Sequence, residues 1–158
     1  MITKDKIVVT GMGAVTPVGV GVDRYWENLT AGKCGIDRIS SFDASNLAVQ
    51  IAAEVTDFDP EDYLPGKLIR ETDAFTQYAF AAAKEALADA GIASGESLND
   101  VVAADRCGIV MGTAMAGIDT IAATQEILTN ATHKTSVRVS CRGYWATLQL
   151  HRSLSSTA

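Results

Sequence analysis

Apolar residues first gather in the unbroken run Ile7-Val8-Val9, which passes through Thr10 into Gly11-Met12-Gly13. A β-branched run without polar alternation suits a strand covered on both faces, so Lys6–Thr10 is predicted to be a buried first strand. Thr16 to Gly21 carries the Pro and Gly chemistry of a turn. Asp23 is then placed to cap a helix bearing Tyr25, Trp26 and Leu29 until Gly32 ends it. From Gly35 to Pro65 the chain is rich in Asp, Ser and Pro, with one apolar stretch, Leu47 to Val55, that fits an edge strand or a hairpin arm. Asp73 to Ala90 has the strongest helical pattern: Phe75, Ala79, Ala82, Ala83, Ala86 and Leu87 recur near the helical period before Gly91. So many alanines imply close packing. After a polar connection from Ala93 to Asp105, Cys107-Gly108-Ile109-Val110-Met111-Gly112 repeats the buried-strand signature, and a helix is expected from about Ile118 to Leu128. This alternation predicts an α/β fold with a mainly parallel sheet and packing helices.

Composition narrows the function classes. A chain of 158 residues, 47% hydrophobic and 20% charged, can bury one core. A formal charge of -6 repels phosphate backbones, which argues against a nucleic-acid partner. No apolar run approaches the roughly 20 residues of a membrane span, and the start of the chain is too short in apolar residues for a signal peptide, so a cytoplasmic protein is expected. Cys34, Cys107 and Cys141 form no CxxC pair, which predicts reduced thiols, no disulfide framework and no zinc site.

Candidate chemistry is sparse. Gly11, Gly13 and Gly19 invite comparison with a phosphate-cradling loop, but they lack the G-x-G-x-x-G spacing and a Walker lysine, and turn geometry accounts for them. Cys34 lies beside Lys33, whose charge favours a thiolate, yet no histidine is near it in sequence and a surface thiol is expected. Cys107, opening a predicted buried strand, is expected to fill core space. Trp26 and Phe75 are expected to be core anchors. The acids Glu54, Asp57, Asp59, Glu61 and Asp62 lack the EF-hand order, and a solvated acidic loop is expected. His133 with Lys134 suits a solvated helix end.

Beyond Ser136 the character changes. Val137 to Ala158 holds three of the 13 basic residues and none of the 19 acids, with no clear period. An irregular Ser-rich terminus is one reading. The genetic code offers another. Cutting each codon after its second base forces GGC, glycine, at the Trp145–Ala146 junction. It then permits Asn-Val-Ala-Ala-Thr-Gln-Ile-Ser-Ile-Glu-Tyr-Gly downstream and Phe-Met-Pro-Gly-Val-Leu upstream. A frameshift near Ser136 is therefore expected as the origin of the tail. Cys141 and His151, which could imitate a nucleophilic pair, both lie in it.

The assembled motifs resemble the N-terminal part of the β-ketoacyl-acyl carrier protein synthases, elongating condensing enzymes of the thiolase superfamily. The resemblance rests on Val9-Thr10-Gly11-Met12-Gly13-Ala14-Val15-Thr16-Pro17-Val18-Gly19, on Trp26-Glu27-Asn28-Leu29 with Ala31-Gly32 and Gly35-Ile36, and on Phe58-Asp59-Pro60-Glu61-Asp62-Tyr63-Leu64. It continues through Arg70, Asp73, Phe75, Gln77-Tyr78-Ala79, the helix end Glu85 to Gly91, and Gly112-Thr113-Ala114-Met115-Ala116-Gly117. It implies residues 1–136 as an incomplete N-terminal half of a thiolase-like fold, with 137–158 as a non-family tail. The string read from the alternative frame also looks like the next part of this family.

The implied reaction is a decarboxylative Claisen condensation between an acyl group held on a cysteine and malonyl-acyl carrier protein, in fatty-acid or polyketide elongation. Such chemistry needs a thiolate to take the acyl group and histidine donors for the enolate left by carbon dioxide loss. In the family these lie on a later Thr-Ala-Cys-type turn and two later histidine motifs, and neither Cys141 nor His133 nor His151 matches them. No catalytic residue, metal or cofactor is carried over, and an inactive chain is expected. The resemblance places Met115 in a segment lining the acyl pocket near the dimer contact, with Ala116 where the family usually has glycine; simple packing serves Met115 equally well. Implied partners are acyl carrier protein, the acyl or malonyl thioester and a second protomer. The alternative is a non-catalytic module that pairs through an open sheet edge with a full-length synthase.

Overall fold

A computed structural model describes residues 6–92, 103–114 and 117–130. These fall into two compact units, one formed by the chain up to Phe58 with the segment from Ala82, the other by Asp59–Ala81 with the described residues from 103 onward.

In the first unit, β1 (Val15–Thr16) pairs antiparallel with β2 (Gly19–Val20) around Pro17-Val18. The Thr16 hydroxyl donates to the Gly19 carbonyl at 2.8 Å, a local bond that closes the turn. Gly21, at φ 90°, then turns the chain into α1 (Val22–Thr30). Asp23 lies in the first turn of α1 rather than at its cap: the cap position is Gly21, with no side-chain bond. Asp23 still favours the positive end of the helix dipole. α1 closes as expected, with Gly32 at φ 71° and the Lys33 amide donating to the Asn28 carbonyl. A second hairpin joins β3 (Ile36–Arg38) to β4 (Ile51–Ala53), Asp37 opposite Ala52, so part of the Leu47–Val55 stretch is the hairpin arm expected of it.

In the second unit, Asp59 caps a 3₁₀ turn, Pro60–Asp62, by accepting from the Glu61 amide. α2 (Gly66–Glu71) follows Pro65, which suits a helix start because it brings a fixed φ and no amide to satisfy. Gln77 donates to the carbonyls of Ile69 (3.1 Å) and Thr72 (2.9 Å), satisfying acceptors at the end of α2. α3 (Ala74–Asp89) matches the Ala-rich pattern, and Gly91 at φ 80° ends it. Thr76 and Ala81 are buried on α3, and Leu64 is buried nearby in sequence. After a 3₁₀ turn at Ala104–Arg106, α4 runs Ile118–Asn130, close to its expected bounds.

Several expectations are corrected. Lys6–Thr10 forms no ladder, and Ile7 and Val9 are 101% and 80% exposed. Cys107–Gly112 likewise forms none; Val110 is 100% exposed and Cys107 is exposed rather than core filler. An apolar run becomes a buried strand only where neighbouring strands supply hydrogen bonds and covering layers, and among the described residues none reaches either run. Both described sheets are antiparallel and two-stranded. Trp26 is 62% exposed, because no described element covers that side of α1, whereas Phe75 is half-buried.

Candidate functional site

Two side-chain clusters organise the glycine-rich segments. In the first unit, Gly11 and Gly13 press against the C-terminal half of α3. A Cβ on Gly11 would lie 2.0 Å from the Ala86 carbonyl oxygen, and one on Gly13 would lie 1.9 Å from that of Ala82. Alanines on the helix and glycines on the loop permit this contact; any side chain on the loop would force the backbones apart.

Close backbone approach leaves loop amides to satisfy, and two carboxylates four residues apart on α3 serve them. Asp89 accepts from the Met12 amide at 2.9 Å. Glu85 accepts from the Ala14 amide at 2.9 Å and from the Val22 amide at 2.7 Å. Because Val22 opens α1, the Glu85 carboxylate also complements the positive end of that helix. Glycine run, turn and α1 entry are therefore referenced to one side chain. Sequence reasoning did not give Glu85 and Asp89 this role. Their signal was the i, i+4 spacing of two acids on an otherwise Ala-rich helix.

The second cluster stands at the start of α4. Asp73 accepts the Thr76 and Gln77 amides with its backbone carbonyl, opening α3. Its Oδ1 accepts from the Thr120 hydroxyl, in the first turn of α4. Asp73 Oδ2 is buried without a hydrogen-bond partner, and a Cβ on Gly117 would lie 2.7 Å from it. Gly117 has φ 66°, so conformation and space both select glycine. Thr76 is 0% exposed. Met115, the expected acyl-pocket residue, and Ala116 lie outside the described residues, as do His133, Lys134, Cys141, His151 and the whole 137–158 tail.

The remaining candidates are spread out. Cys34 is exposed, with its thiol 3.8 Å from the Ile36 carbonyl. The acidic stretch has local partners: Asp57 pairs with Arg24 at 2.6 Å, both half-exposed, Asp59 caps the 3₁₀ turn, and Glu54 accepts from the amides and hydroxyls of Ser40 and Ser41. The Ser41 hydroxyl, followed by that of Ser40, lowers the Glu54 carboxyl from 4.5 to about 2. Bonds from Ser45 lower Asp43 likewise. Among the described residues no group of three His, Cys, Asp or Glu side chains could hold a metal ion, and no helix is long and apolar enough to cross a membrane.

Comparison with known proteins gives a consistent result. The family model for the β-ketoacyl synthase N-terminal domain matches residues 4–148. A 3-oxoacyl-[acyl-carrier-protein] synthase 2 from Coxiella burnetii is 43% identical over 115 residues, 73% of this chain and 27% of that protein. The 3-oxoacyl-[acyl-carrier-protein] synthase 2 of Staphylococcus aureus strain COL is 40% identical over 115 residues, again 73% of this chain and 27% of its own. The crystal structure of a β-ketoacyl synthase from Burkholderia phymatum superposes with a TM-score of 0.62 at 29% identity, covering 86% of this chain and 36% of that one. The chain thus spans about a quarter of the length of the curated relatives it matches.

Proposed function

The chain belongs to the β-ketoacyl synthase family, and from that premise we propose that it represents the N-terminal part of an enzyme performing decarboxylative Claisen condensation in fatty-acid or polyketide elongation. The observation that carries this reading is the match of the β-ketoacyl synthase N-terminal domain over residues 4–148, supported by the 43% identity over 115 residues to a 3-oxoacyl-[acyl-carrier-protein] synthase 2. In this reading the chain supplies scaffold. Glu85 fixes the entry to α1, and Asp73 fixes the start of α4, immediately after the Gly112–Gly117 segment in which Met115 would line the acyl pocket.

The whole enzyme's partners would be acyl carrier protein with its acyl and malonyl thioesters, and a second protomer. Condensation needs a cysteine nucleophile and donors for the enolate. The described cysteines, Cys34 and Cys107, are exposed and free, and neither stands on a turn of the family's nucleophile type. The chain alone is therefore proposed to be inactive. The test is an assay of the purified 158-residue chain with acyl- and malonyl-acyl carrier protein. Absence of both carbon dioxide release and β-ketoacyl product is expected; turnover above a protein-free control overturns the proposed inactivity.

A further inference from the structure

We draw no further inference here: the strongest candidate, the side-chain cluster at the start of α4 in which Asp73 Oδ2 is buried and unpartnered beside Gly117, belongs to the site already described.

Discussion

At position 13 the absence of a side chain decides the packing. A Cβ 1.9 Å from the Ala82 carbonyl oxygen cannot be accommodated by rotamer change, because the opposing atom is helix backbone. Gly13→Ala is therefore expected to lower stability by about 3 kcal/mol, the upper end of overpacking costs. Gly108→Ala, with no atom within 4 Å of the added carbon, is expected to stay within about 0.5 kcal/mol. Urea unfolding midpoints of the two variants check the contrast. Glu85 acts at the same contact. Truncation to Ala strands two amides that now donate to a carboxylate at 2.7 and 2.9 Å. A cost of about 3 kcal/mol is expected, with Glu85→Gln recovering at most about half of it, because Oε1 and Oε2 each accept one amide and the carboxamide keeps one acceptor oxygen and turns an NH2 toward the other amide. Glu85→Gln keeping the full stability of the parent would show that the two amides do not each need a carboxylate oxygen.

At the scale of elements, the β3–β4 hairpin carries the clearest pH dependence. Glu54 is lowered from 4.5 to about 2 by Ser41 and Ser40. A carboxylate whose folded value is depressed contributes stability that is fully present above its unfolded value and is lost as the pH falls through the folded one. The bonds of Ser40 and Ser41 are thus expected to weaken between about pH 4.5 and 2, measured as exchange or chemical-shift changes at those amides, and Glu54→Gln is expected to remove the transition. At the other cluster, Asp73→Ala is expected to speed amide exchange in the first turn of α4, while the amides of α1 keep their protection; equal loss in both would deny Asp73 a local role.

These elements also show what was legible in the sequence. α3 was, because an Ala-rich helix closes its hydrogen bonds within itself and Gly91 marks its end. α4 and the hairpin arm near Ile51 were legible for similar local reasons. The six-residue α2 was missed, since one and a half turns leave no period to read. Lys6–Thr10 and Cys107–Gly112 were misjudged because strand pairing depends on partners elsewhere, which a local pattern does not contain. Glu85, Asp89 and Asp73 stood in the recognised motifs, but their roles required knowing which backbone they face.

At the scale of the whole molecule, charge and family coverage raise the question of the last 22 residues. All 19 acids precede residue 137, while Val137–Ala158 carries three arginines and no acid. The curated relatives match over 114 or 115 residues, and the family model reaches residue 148, which takes in the first part of this stretch. A stretch encoded in frame should stay family-like to its end. One read out of frame should regain that likeness when the codon phase is shifted, and here the shifted phase forces glycine at Trp145–Ala146 and permits Gly-Asn-Val-Ala-Ala-Thr-Gln. Sequencing the coding DNA across the codons for Thr135 to Trp145 is accordingly expected to reveal a single-base difference that restores that phase. An unchanged sequence, together with a purified protein whose mass matches all 158 residues, would instead make the basic tail a genuine part of the product.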